Sequence, residues 1–271
     1  MNMFVRMSGD LPSIQKSFFR NLVSFIFAVS MIIRTRTSIK IEKEAVFPLI
    51  LRSAAGTLGI LCNFYAVDHM AIADASLLNK LSPFFVVIFS FMILNEKIKG
   101  YQMACILTAF AGSLFVIKPT ADIFQNPAAL IGALGGMSAG AAYAFVRLCG
   151  QKGVKGPVIV AFFSGFSCLI VLPFMMFDFV PMTVEQIIFL LLAGLAAAGG
   201  QFTITAAYTH APAREISVYD YSQILFSTLL GFIFLHELPD AYSFIGYVII
   251  ICASVAMFIL NMKQDKERNT V

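Results

Sequence analysis

The sequence has few charged residues. Of its 271 residues, 13% are charged and 59% are hydrophobic, and the mean hydropathy is +0.85. Soluble domains carry about 25% charged residues, so this chain has too little polar surface for a water-soluble globule. The net charge of +4 is spread over the connections between apolar segments, which excludes a basic patch for nucleic acid.

Sequence motifs of enzymes and metal-binding proteins are absent or lie in a structural context that does not fit their function. The five cysteines stand singly in apolar segments, without the C-x-x-C spacing of a metal site. G-M-S-A-G at 136–140 matches the nucleophile-elbow pattern, but that motif needs a strand-to-helix turn and here it lies inside an apolar run. A Walker lysine in a glycine loop is also absent. We therefore expect no enzyme activity, no cofactor and no metal.

Long apolar runs make up most of the chain. A helix that crosses the hydrocarbon core of a membrane needs about 20 mostly apolar residues. About nine windows meet this requirement: 18–33, 48–67, 75–94, 101–118, 127–148, 157–177, 185–209, 214–235 and 240–261. These windows are about twice as long as the strands of an outer-membrane barrel. The sequence therefore predicts an all-α polytopic membrane protein.

The distribution of lysine and arginine predicts an orientation, because these residues favour the cytoplasmic side of membrane helices. The connection between the first two windows carries Arg34, Arg36, Lys40 and Lys43. If that connection is cytoplasmic, the basic C-terminal tail at 263–271 is cytoplasmic too, and the N-terminus lies outside. The predicted location is the cell membrane.

A tandem repeat relates the two halves. F-V-R-M-S-G at 4–9 returns as F-V-R-L-C-G at 145–150, an offset of 141 positions (145 − 4). The same offset aligns further identical residues: Gly59 with Gly200, Glu96 with Glu237 and Tyr101 with Tyr242. Units with an odd number of helices insert in opposite orientations, and such inverted repeats are characteristic of transporters. We predict two inverted five-helix repeats.

The predicted domains are a first repeat at 1–120, a second repeat at 121–262 and a charged tail at 263–271. An apolar run at 127–148 precedes the second copy of the six-residue motif, whereas three residues precede the first copy. We therefore expect that the first helix of the first repeat is missing, through a late start site or a cropped sequence. A genuine nine-helix protein is the alternative.

Paired helix ends carry a resemblance to a known family. Residues 83–96 read P-F-F-V-V-I-F-S-F-M-I-L-N-E, and residues 222–237 read S-Q-I-L-F-S-T-L-L-G-F-I-F-L-H-E. With the paired halves, these segments resemble the EamA type of the drug/metabolite transporter superfamily. The resemblance implies ten helices and the export or exchange of organic solutes. Two departures are the missing first helix and Ile224, which stands where Pro83 would repeat.

Polar residues inside the windows indicate a candidate site. A charged residue at membrane depth costs about 2.5–3.5 kcal/mol on insertion scales, so such residues usually face a cavity or a partner. One face of window 75–94 carries polar residues that the repeat places again on window 214–235. The predicted cavity residues are Ser76, Asn79, Lys80, Pro83, Asp220, Gln223 and Ser227, with Asn63 and Gln201 on neighbouring windows. The alternative is a polar helix–helix seam.

Lys80 and Asp220 are the two charges in this set. At 1.5 Å per residue, Lys80 lies about 9 Å from one end of its window, and Asp220 lies at a comparable depth from the opposite end. Whether they meet is open from the sequence. Without a partner, Asp220 is a candidate proton or cation acceptor and Lys80 extends to the headgroups. Pro83 predicts a kink in the middle of its helix.

Other residues receive structural interpretations. Arg20, Arg52 and Arg147 are interpreted as interfacial anchors, with binding of an anionic solute as the alternative. Gly132, Gly136 and Gly140 recur every four residues, which predicts close packing of their helix against a neighbour.

The predicted function is secondary active transport of a small organic metabolite or drug-like solute across the cytoplasmic membrane by alternating access. The expected partners are the solute, the lipid bilayer, and a coupling proton or an exchanged solute. We expect no nucleic acid, and a homodimer is an open alternative. The rival function is a non-transporting membrane scaffold or an inactive truncated transporter.

Overall fold

The apolar windows fold as helices. The computed structural model describes residues 1–70, 72–235 and 238–269, and no strand occurs in these ranges. Within them, nine helical segments are long and apolar enough to span a membrane: Ser13–Arg34, Lys43–Val67, Asp74–Leu94, Gly100–Ile117, Ala128–Gln151, Gly156–Phe177, Val184–His210, Ala213–Phe234 and Ala241–Lys263. Each predicted window coincides with one segment, and the ends differ by at most five residues. The prediction of an all-α polytopic membrane protein is confirmed.

Two of the nine spans are each built from more than one helix. The helices are α1 Asn2–Met7, α2 Ser13–Arg34, α3 Lys43–His69, α4 Ile72–Asn79, α5 Ser82–Leu94, α6 Gly100–Ile117, α7 Ala128–Gln151, α8 Gly156–Phe177, α9 Val184–His210, α10 Ala213–Ile216, α11 Ser222–Leu235 and α12 Ala241–Asn269. Short 3₁₀ helices cover Ala121–Phe124 and Ser217–Tyr221. Glu237, at the end of the second helix-end motif, lies outside the described residues.

The chain forms two compact units, and each contains segments from both halves of the sequence. The first unit comprises Met1–Phe64 and Ala141–His210. The second unit comprises Tyr65–Gly140 and Ala211–Val271. Helices α2, α8 and α9 therefore belong to the first unit, and α4, α5, α6, α11 and α12 belong to the second.

In the first unit, α2 packs against α8 and α9 through one face of small and polar residues. Its buried residues are Gln15, Ser17, Asn21, Ser24 and Ala28. Most are spaced three or four positions apart, so they share one face of the helix. The amide of Asn21 donates to the hydroxyl of Ser167 on α8 at 2.9 Å. Small residues let helix backbones approach closely, and the interhelical hydrogen bond adds specificity.

In the second unit, glycines bring helices into backbone contact. A Cβ at Gly140 on α7 would lie 2.6 Å from Cβ of Phe85 and 2.7 Å from the backbone nitrogen of Val86. A Cβ at Gly112 on α6 would lie 3.0 Å from the carbonyl oxygen of Gly246 on α12. Real side chains essentially never approach as closely as 2.7 Å. The predicted close packing of the α7 glycine stripe is confirmed.

Candidate functional site

Both spans that carry the predicted polar face are interrupted, and the interruptions fall at equivalent positions of the repeat. In the first span, α4 ends at Asn79 and α5 begins at Ser82. In the second, the 3₁₀ helix Ser217–Tyr221 separates α10 from α11. The offset of 141 aligns Lys80, in the first break, with Tyr221, the last residue of the 3₁₀ helix in the second.

The first break has a local cause in Pro83. Pro83 is near the start of α5; it has no N–H group, and its ring disfavours a helical carbonyl four residues earlier, at Asn79. The backbone N–H of Leu81 bonds three residues back, to Leu78, at 3.2 Å. The predicted mid-helix kink is therefore corrected to a helix break just before the proline. The second span is also interrupted, although Ile224 occupies the position that the repeat aligns with Pro83.

Lys80 lies in the first break and contacts the second. Its Nζ donates to Oε1 of Gln223 at 2.7 Å and to the backbone carbonyl of Asp220 at 3.3 Å. The carboxylate of Asp220 lies within electrostatic range of this ammonium. The phenol of Tyr221 donates to the backbone carbonyl of Lys80 at 3.1 Å. Lys80 and Asp220 therefore meet, and Lys80 does not extend to the headgroups.

The contacts around Lys80 and Asp220 are suited to replacement by a bound ligand. Discontinuous helices in transporters place unwound carbonyls and helix ends at substrate and ion sites. Here an ammonium is held by a neutral amide and a carbonyl, with a carboxylate nearby. An anionic group can compete for Lys80, and a proton or a cation can compete for Asp220.

Three further predicted residues have exposed side chains, and one is buried. Ser76, Asn79 and Ser227 are exposed, whereas Pro83 is buried. The hydroxyl of Ser227 donates within its own helix, to the carbonyl of Ile224 at 3.0 Å. The exposure of these three side chains is what the cavity interpretation expects, and that interpretation stays a prediction. A buried polar face is found on α2.

Gln201 and Asn63 lie in the first unit, where Gln201 takes part in a second polar cluster. Its Oε1 accepts a hydrogen bond from Nη2 of Arg52 at 3.2 Å. Arg52 is 2% exposed, and its Cζ lies 4.0 Å from the ring centroid of Phe163. Asn63 is half-buried. The interpretation of Arg52 as an interfacial anchor is wrong, because an anchoring side chain extends into the headgroups.

Sequence reasoning missed two residues of these clusters. Tyr221 is the repeat partner of Lys80 (221 − 80 = 141), so the repeat alignment contained the signal that would have found it. Phe163 lies in an apolar run with no feature that distinguishes it from its phenylalanine neighbours. Its contact with Arg52 depends on how α3 and α8 pack.

Outside the spans, a charged pair fixes the start of α12. Nζ of Lys118 donates to Oδ2 of Asp240. Oδ1 of Asp240 accepts from the backbone N–H of Ser243 at 3.0 Å and from its hydroxyl at 2.8 Å. The hydrogen bond from Lys118, followed by those from Ser243, lowers the pKa of Asp240 to about 2. This carboxylate acts as a helix cap.

In the part of the chain that the structure describes, the nine candidate spans define a polytopic helical membrane protein, and two of these spans are interrupted. Comparison with known families is more specific. The sequence model of the EamA-like transporter family matches residues 2–118 and again residues 127–259. The chain belongs to this family.

Several relatives carry transport names. The chain is 32% identical over 260 residues to the pseudopaline exporter CntI of Pseudomonas aeruginosa, covering 95% of this chain and 90% of that protein. It is 23% identical over 273 residues to a riboflavin transporter of Rhizobium johnstonii, covering 98% and 86%. A crystal structure with 17% identity has the same fold, with a TM-score of 0.84 over 97% of this chain and 93% of that one.

Proposed function

We propose that this protein is a secondary active transporter that moves a small organic solute across the cytoplasmic membrane by alternating access. The observation that carries the proposal is the pair of helix breaks at repeat-equivalent positions, with Lys80 held between Gln223 and Asp220. A scaffold has no need of a charge at membrane depth, where insertion costs about 2.5–3.5 kcal/mol. Relatives named as an exporter and a transporter support the same function.

In this proposal, Lys80, Asp220 and Gln223 form the site at which the solute and the coupling proton bind in turn during the transport cycle. The solute or the coupling proton displaces one of the contacts around Lys80 and Asp220. The exposed polar side chains of Ser76, Asn79 and Ser227 line the route to it. The basic C-terminal tail supports a cytoplasmic C-terminus.

Metabolite profiling of expressing cells tests the proposal. Cells that produce the wild-type protein should enrich or deplete specific solutes in the medium relative to cells with an empty vector. Lys80→Met and Asp220→Asn should abolish the difference at equal protein abundance in the membrane. Lys43→Met is the matched control, because it makes the same change at an exposed lysine at the start of α3.

Transport assays with purified protein in proteoliposomes then distinguish proton coupling from solute binding. With an enriched solute as the probe, an imposed pH gradient should drive uptake, and Asp220→Asn should remove the dependence on that gradient. The scaffold alternative replaces the proposal if no solute responds to the wild-type protein, or if Lys80→Met transports as well as Lys43→Met.

A further inference from the structure

We infer that Arg52 forms a recognition site for a carboxylate group of the transported solute. This inference rests on the proposed transport function and names the class of solute as organic acids. It concerns the first unit alone, and the residues that define the site are Arg52, Gln201, Phe163 and Gly56.

Among the residues that the structure describes, Arg52 has no counter-ion. Arg52 is 2% exposed and lies nine residues after the start of its span, about 13–14 Å along the helix axis. In the described part of the chain, no carboxylate lies within ion-pair distance of it. Buried arginines usually pair with an acid, because an unpaired buried charge is strongly unfavourable.

The electrostatic neighbours of Arg52 do not supply the missing charge. Those within range are Tyr143, Cys149 and Arg20. Arg20 is itself a cation, and its Nε is buried without a hydrogen-bond partner among the described residues. Two guanidinium groups therefore share a part of this unit, and no carboxylate is among the described electrostatic neighbours of Arg52. An anionic ligand would balance both.

The surroundings of Arg52 hold its guanidinium in place and leave its Nε donor without an acceptor among the described residues. Gln201 accepts one hydrogen bond from Nη2, and the ring of Phe163 covers one face at 4.0 Å. Nε is buried and has no acceptor in the described ranges. The N–H donors of a planar guanidinium form a fork that matches the two oxygens of a carboxylate, and here the Nε–H is the donor available for one of them.

Gly56 supplies the space for this arrangement. It lies one helical turn after Arg52, and a Cβ at this position would collide with Nη1 of Arg52 and approach Cε2 of Phe163 to 2.7 Å. The glycine therefore lets the guanidinium lie against the backbone of its own helix. In the structure the group is covered, so the site must open when a solute enters.

Thermal stability in nanodiscs provides the binding test. The protein is placed in phosphatidylcholine nanodiscs, and its melting temperature is measured with benzoate, succinate and glutamate, and with benzamide, succinamide and glutamine as the uncharged counterparts. At least one acid should raise the melting temperature, whereas its amide should not. Arg52→Gln should remove the response, and Arg34→Gln, which deletes an exposed charge at the end of α2, should keep it.

A second variant tests the missing counter-ion without any ligand. Gln201→Glu places a carboxylate where the amide now contacts Arg52, so it should raise the melting temperature of the free protein and weaken acid binding at least tenfold. Gln186→Glu makes the same change elsewhere in the unit and should leave acid binding unchanged. This test remains valid if Arg52→Gln fails to fold.

The outcomes separate this inference from the proposed function. The inference is overturned if no acid exceeds its amide, if Gln201→Glu does not stabilise the protein, or if phosphatidylglycerol stabilises it while the acids have no effect, since the partner is then a lipid phosphate. If acids bind but no solute is moved, transport fails and the Arg52 site stands. If solutes are moved and Arg52→Gln changes nothing, only the Arg52 site fails.

Discussion

The phenol of Tyr221 donates a hydrogen bond at 3.1 Å to the backbone carbonyl of Lys80, which lies 141 positions earlier. Because 141 is also the offset of the sequence repeat, these two residues are repeat partners. The hydrogen bond therefore joins the two helix breaks, where Lys80 also contacts Asp220 and Gln223.

Tyr221→Phe should destabilise the protein through this single bond. The substitution keeps the fully buried ring and leaves the carbonyl of Lys80 without its donor, at an expected cost of about 0.5–1.5 kcal/mol. The melting temperature of the purified protein in detergent measures the loss. Tyr219→Phe is the control, because Tyr219 lies in the same 3₁₀ helix and is 37% exposed. Equal melting temperatures for the two variants would contradict the role of the bond.

The spans were predictable from the sequence because each depends on a local property, the length and hydropathy of one apolar run. The interruption of the second span was not predictable, because Ile224 is an ordinary helix residue and the hydrogen bond between the two breaks joins residues 141 positions apart. The burial of Arg52 was also not predictable from the sequence. Its hydrogen-bond partner Gln201 lies 149 positions away, and a single sequence does not pair residues over that distance.

Gly140→Ala should destabilise the protein, whereas Gly199→Ala should not. A methyl group at Gly140 meets Phe85 and Val86 at 2.6–2.9 Å, and overpacking of this kind costs about 1–3 kcal/mol. Nothing lies within 4 Å of a methyl group at Gly199. Gly199→Ala should therefore stabilise the protein by about 0.5–1 kcal/mol, because alanine has the higher helix propensity. Both glycines are inside helices, so the difference in their melting temperatures isolates the packing effect.

Asn21 and Ser167 should show energetic coupling across α2 and α8. Ser167→Ala leaves the buried amide of Asn21 without the acceptor it has at 2.9 Å, and Asn21→Leu leaves the serine hydroxyl without that donor. The double variant removes both groups and should lose less stability than the sum of the single variants. Interhelical hydrogen bonds in membranes couple by about 0.6 kcal/mol on average and about 1.7 kcal/mol at most. A double-mutant cycle of unfolding free energies measures the coupling, and strictly additive losses would show that the bond contributes nothing.

Lys118→Met should remove a stabilisation that depends on the charge of Asp240. The pKa of Asp240 is lowered to about 2 in the folded protein, first by its hydrogen bond with Lys118 and then by those from Ser243, against an ordinary value of about 3.9. Stabilisation from a lowered carboxyl pKa is fully present above the unfolded value and is lost as the pH falls through the folded value. The melting temperature of wild type should therefore exceed that of Lys118→Met at pH 5 to 7, and the gap should shrink below about pH 4 and close near pH 2. Lys118→Arg keeps the positive charge and should follow wild type across the whole range. A gap that stays constant down to pH 2 would assign the effect to packing of the lysine side chain, because packing does not depend on the protonation of Asp240.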